Sequence, residues 1–113
     1  MNDRARKCLF DVTEAARAVA VFVEGMDFTA FSQDDLIRSA VERKFEIIGE
    51  ALHRLRDMDE DLFRKIESGY DIIGMRNRLI HGYDAVDEEI VWDTIQADLP
   101  GLIISVQSLF ESS

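Results

Sequence analysis

An all-α fold is what this chain predicts, and three observations carry that reading. Apolar residues recur at steps of three and four along nearly its whole length. One proline and six glycines among 113 residues leave little material for strands and tight turns. Acidic and small polar residues stand where helix starts are expected. Together they describe one domain over residues 1–113, an antiparallel bundle of four main helices plus a short one.

The first helix is expected from about Asp3 to Gly25, with Leu9, Val12, Ala16, Val19, Val23 and Met26 forming a single stripe. Phe28 to Phe31 then makes a connection. Ser32, with Asp35 three positions later, reads as a near-capping-box start for a long second helix reaching about Arg56. Its stripe is Ile37, Val41, Phe45, Ile48, Leu52 and Leu55, while Arg43, Glu46, Glu50 and Arg54 form a charged row on another face. That row suits ordinary pairing along a helix, or it could reach a functional site. The acids Asp57, Asp59, Glu60 and Asp61 belong at a helix start, where the macrodipole favours them, rather than to a metal centre. A short helix follows to roughly Ser68, with Leu62, Phe63 and Ile66 as its contacts. The next begins near Tyr70 and is stopped by Gly82, which places Tyr83 in a loop. Asp87 opens the last helix, whose stripe Val91, Ile95, Leu99, Leu102, Val106 and Leu109 continues across Pro100 with a kink.

Composition narrows function. The single Cys8 rules out an intrachain disulfide, and the N-terminal residues lead into no apolar signal region, so a cytoplasmic protein is expected. The apolar run Ala18 to Val23 is far short of the roughly 20 residues a membrane span needs, so no membrane role is expected. A formal net charge of −10 opposes indiscriminate nucleic-acid binding. The charge is nonetheless segregated: all 13 basic residues lie at or before Arg78, and seven acids with no Lys or Arg follow. A basic cleft on an acidic body would hold a few phosphates while repelling long polyanions elsewhere.

The run Met75-Arg76-Asn77-Arg78-Leu79-Ile80-His81-Gly82-Tyr83 concentrates the chemistry. A guanidinium forks two donors onto phosphate oxygens, and an imidazole exchanges protons near neutrality. These are the groups of a metal-free ribonuclease, with Arg76 on the phosphate and His81 moving protons; neither a metal nor another cofactor is called for. Asn77 is placed to orient the Arg or a phosphate oxygen. Arg78 could add phosphate attraction, and His53, on the second helix with no such motif around it, reads as structural or surface. Five residues separate Arg76 from His81, about 140° around a helix axis, so one unbroken helix does not aim both at one substrate: either the helix loosens at its end and His81 swings, or a second copy completes the site across a two-fold axis, and the second is the favoured reading. Each chain also offers one convincing imidazole for the two roles of general base and general acid. A homodimer would supply two.

The spelling Arg-x4-His-x-Tyr, with Asn directly after the Arg, resembles the signature of the HEPN superfamily and specifically its HepT-like branch of toxin ribonucleases. The likeness extends over about Tyr70 to Pro100, and Arg43-Lys44-Phe45-Glu46-Ile47-Ile48-Gly49-Glu50-Ala51 is similar to that branch's second helix. The resemblance implies an endoribonuclease toxin that cuts RNA without metal, with Arg and His motifs paired at a dimer interface. It further implies an MNT-type nucleotidyltransferase antitoxin as partner, and Tyr83 as the residue that antitoxin adenylylates. A second reading is a non-catalytic HEPN subunit that binds substrate for, or regulates, a nucleotidyltransferase, and the acidic C-terminal third suits such a protein partner.

Overall fold

A computed structural model describes residues 1–81 and 87–112, with His81 described as a backbone position alone. The elements are α1 (Asp3–Phe22), α2 (Phe28–Ser32), α3 (Asp35–Met58), α4 (Glu60–Phe63), α5 (Gly69–His81), α6 (Glu88–Ala97) and α7 (Leu99–Glu111). The all-α expectation holds. α3 is the spine, packed on one side by α1 and on the other by α5, while α7 lies against α1 and α6. Each helix faces the centre with the stripe its spacing predicts: Leu9, Val12, Ala16 and Val19 of α1, Val41, Phe45, Ile48, Leu52 and Leu55 of α3, and Val91, Ile95, Leu99, Leu102 and Val106 of α6 and α7 are all buried. Burial of such a stripe, rather than local propensity, is what holds helices of this length.

Three boundaries differ from expectation, each for a local reason. Residues 28–32 are helical, capped by Asp27, whose carboxylate accepts from the Ala30 N–H at 2.8 Å. The long helix then starts at Asp35 rather than Ser32, because Asp34 caps it at the Ile37 N–H (2.9 Å) while the Ser32 hydroxyl donates back to the Thr29 carbonyl. The short helix ends at Phe63 rather than near Ser68. Its backbone tightens there into bonds of three-residue span, Lys65 N–H to Leu62 and Ile66 N–H to Phe63, and then reverses at Ser68, which sits at φ +65°.

The last expected helix is two helices. Pro100 has no N–H to give, and its ring collides with the carbonyl four residues back, so α6 closes at Asp98 and α7 restarts with the proline in its first turn, where no donor is missed. The bundle therefore has five long helices and two short ones among the described residues, not four and one.

The turn before α5 is tied to this break. The Ser68 hydroxyl donates to Asp98 Oδ1 at 3.0 Å, and the Glu67 N–H donates to the Ser105 hydroxyl of α7 at 3.1 Å. Gly69 admits the Phe63 ring, which a Cβ there would meet at 2.9 Å. These contacts place the start of α5, and so fix where its far end falls.

Glu42 of α3 is half-buried, and desolvation pushes its carboxyl above the ordinary value, with Glu46 and Glu88 adding to the effect and Arg38 opposing it. An acid whose folded pKa is raised favours the fold at low pH, and that contribution is lost as pH rises through the folded value. Glu42→Gln should therefore melt higher than the parent at pH 7 and lose its advantage below about pH 4, where an ordinary carboxyl protonates. Thermal unfolding followed by circular dichroism at the two pH values checks this; a variant less stable at pH 7 contradicts it.

Candidate functional site

α5 carries the Arg76–His81 segment, and its burial pattern sorts the residues. Ile72, Ile73, Met75 and Leu79 enter the core, while Asn77 and Arg78 are exposed. Arg76 lies at the border, with its side chain 22% exposed, and it turns back across the helix interface toward α3. There the chain offers Gly49. A Cβ built on Gly49 would sit 2.2 Å from the Cβ and 2.4 Å from the Cγ of Arg76, so the missing side chain is the space the arginine stem occupies.

The next residue takes the head group. Arg76 Nη2 donates to Glu50 Oε2 at 2.7 Å, and Nη1 donates to Asn77 Oδ1 at 3.1 Å. Glu50 is also held from behind, its Oε1 accepting from Arg54 Nε at 3.0 Å. The third guanidinium nitrogen, Nε, is buried with no hydrogen-bond partner among the described residues. The charged row on α3 pairs along its own helix and also across to α5. Arg43 pairs with Glu46 and Arg54 with Glu50 along the helix, and Glu50 reaches across to Arg76.

Asn77 is exposed and meets the arginine through that one bond. Arg78 points away from the core, and His53 stands beside Asp57 on α3 at 3.5 Å, apart from Arg76's contacts. Asp59 caps α4 at the Leu62 N–H and Glu60 pairs with Arg64, which gives two of the four clustered acids ordinary structural roles. Gly82, Tyr83 and the side chain of His81 lie outside the described residues. From the sequence, Glu50 enters only as one member of the charged row, and Gly49 only within the segment similar to the second helix. A glycine inside a strongly periodic helix, at the centre of Ile47-Ile48-Gly49-Glu50-Ala51, was the available signal.

Beside Glu50, α1 and α3 enclose a groove of about 670 Å³. Arg4, Lys7, Arg43 and Arg54 line it together with Asp3, Asp11, Glu46 and Glu50, so its charges balance, and it is not the basic cleft that the segregated sequence suggested. Cys8 lies at its floor; burial pushes the thiol pKa up, with Asp11 adding to it, which disfavours the reactive thiolate.

An all-helical bundle with α3 and α5 gripping the arginine of an Arg-x4-His segment defines a HEPN-type protein. The ribonuclease HepT-like family model matches residues 12–109, and this chain belongs to that family of ribonucleases. Among its relatives, a candidate RNase of Methanocaldococcus jannaschii is 34% identical over 81% of this chain and 84% of its own. A candidate RNase of Caldanaerobacter subterraneus subsp. tengcongensis is 35% identical over 79% of each chain, and a probable ribonuclease HepT of Thermococcus cleftensis is 34% identical over 83% of this chain and 84% of its own. No solved structure matches.

The seat at Gly49 yields a direct test. Gly49→Ala forces a methyl into the Arg76 stem, so α3 and α5 must part or the arginine must leave; overpacking of this kind costs about 1–3 kcal/mol. Chemical denaturation should show the loss. An alanine variant as stable as the parent would mean that the interface gives way freely.

Proposed function

We propose that this chain is a metal-independent endoribonuclease toxin acting as a homodimer, with Arg76 and His81 as its catalytic residues and Asn77 and Tyr83 supporting them. The observation that carries the reading is the held guanidinium of Arg76, on a helix whose last described residue is His81, in a chain of the ribonuclease HepT-like family. The reaction is transesterification within RNA. One His81 imidazole takes the proton of a 2′-hydroxyl, O2′ attacks phosphorus, and the second His81, from the partner chain, protonates the departing O5′. Arg76 binds the phosphate and stabilises the charge that builds on its oxygens. The products are a 2′,3′-cyclic phosphate and a 5′-hydroxyl.

One feature supports the dimer. Gly74 lies mid-helix on α5, where a Cβ would meet nothing within 4 Å. Glycine there costs about 1 kcal/mol relative to alanine, a cost that close approach by a second helix would explain. The domain is proposed to span 1–113, and among the described residues no helix is long and apolar enough to cross a membrane.

His81→Ala or Arg76→Ala should lower RNA cleavage in EDTA by about 10²- to 10⁴-fold while helicity is kept. Co-refolding the parent with an excess of His81→Ala chains should suppress activity beyond simple dilution, since one site draws on two imidazoles. Magnesium-dependent cleavage leaving 5′-phosphates would overturn the mechanism. A chain that binds RNA or nucleotide without cutting would instead be the regulatory subunit of a nucleotidyltransferase.

The same reading extends to control. An MNT-type nucleotidyltransferase antitoxin would adenylylate Tyr83, adding bulk and negative charge where the RNA phosphate belongs. Co-expression with such an enzyme should add about 329 Da, the formula mass of an adenylyl group, to each modified chain, a charge-changing modification visible by intact-mass spectrometry. Tyr83→Phe should remain unmodified; a Phe variant still modified and silenced would place the target elsewhere.

A further inference from the structure

We propose that Glu50 is a positioning residue for Arg76, and that with Gly49 it forms a cradle presenting the end of the guanidinium, rather than its Nε edge, to a phosphate. The proposal deepens the cleavage reading and rests on it for its catalytic consequence.

A guanidinium offers five N–H donors on two forked edges, one between Nε and Nη2 and one between the two terminal nitrogens. Burial of Nε against the Gly49 seat removes the first edge from reach. Glu50 Oε2 and Asn77 Oδ1 accept from Nη2 and Nη1, and each of these terminal nitrogens keeps a second hydrogen that can meet a phosphate oxygen. The cradle works because Glu50 is itself constrained. Arg54 holds its other oxygen, so the carboxylate resists swinging away when a phosphate competes for Arg76.

Nε is the second observation. A buried charged group with an unmet donor tends to escape to water, and it stays only where its surroundings over-determine it. Here the surroundings are the stem seat and the Glu50 carboxylate. Without Glu50, the guanidinium has both a reason and a route to leave. A surface ion pair that merely stabilised the fold would contribute little and would not discriminate between edges of the arginine.

Glu50→Ala and Glu50→Gln test this by two readouts. With a single-stranded RNA oligonucleotide, Glu50→Ala should lower kcat by about 10- to 100-fold with KM within about twofold, as expected for lost orientation, while Glu50→Gln recovers most of the rate because its amide oxygen still accepts from Nη2. In ¹⁵N-labelled protein the Arg76 Nε–H resonance, assigned by its loss in Arg76→Lys, should exchange with water about tenfold faster or more in Glu50→Ala and change little in Glu50→Gln. An unmoved resonance in Glu50→Ala, or cleavage at the parent rate, overturns the proposal. A parent protein that cuts no RNA while the resonance responds as expected removes the cleavage reading and leaves the cradle standing.

Discussion

The close approach of α3 and α5 at Gly49 is the constraint on which most of this molecule depends. Packed helices ordinarily stand 8–10 Å apart according to the side chains between them, and here one of the two surfaces contributes no side chain at all. The arginine that fills the space is long enough to cross the seam and emerge beside Glu50. One contact therefore sets two quantities, the spacing that lets Ile48 and Leu52 share a core with Ile72 and Met75, and the place where a cation reaches the surface. Packing and charge placement cannot be varied independently at this point, because the aliphatic stem serves the first and the guanidinium the second.

The periodic features of the fold were legible before any coordinates, since amphipathic stripes are a one-dimensional record of which face is buried. The stripes of α1 and α3 and the continuous stripe through α6 and α7 appear in the core as spaced. What failed was punctuation. Ser32 and Asp34 are both competent caps two residues apart, and their competition is decided by which backbone N–H each can reach once the Asp27-capped turn of α2 has formed. Pro100 was read as a kink because the apolar period runs through it, yet the period reports only which side faces inward, not whether the backbone hydrogen bonds are continuous. For the site, Arg76 and Asn77 were visible as chemistry, and their joint contact follows from adjacency. Gly49 carries no such chemistry and Glu50 is one acid in a charged row, because the meaning of both depends on a helix that arrives some 26 residues later.

The strongly acidic balance has a more local explanation than the total of −10 suggests. Asp27, Asp34, Asp59 and Asp87 each accept backbone N–H groups at a helix start, where their charge faces the positive end of a dipole. Others neutralise cations: Arg38 is shared between Asp35 of its own helix and Glu88 at the start of α6, with a further bond to the Ser32 carbonyl. Much of the negative charge is thus committed to holding helix ends and inter-helix junctions. A polyanion meeting this protein would feel the residual field as a filter against long contacts.

Asp98 closes α6, starts α7 and accepts the hydroxyl of Ser68, whose backbone sits in the left-handed region just ahead of α5. Three elements meet at a single residue, α6 and α7 through its backbone and the turn before α5 through its carboxylate. The last helix and α5 are thereby linked through the turn that precedes α5: opening α7 as far as Ser105 and Asp98 would release the hydrogen bonds they accept from Glu67 and Ser68, leaving that turn to the Phe63–Gly69 contact and the Ile72 N–H bond to the Ser68 carbonyl. Local opening of α7 would in this way be felt at the start of α5, which makes the segment Leu99–Glu111 a thermodynamic partner of a site it does not touch.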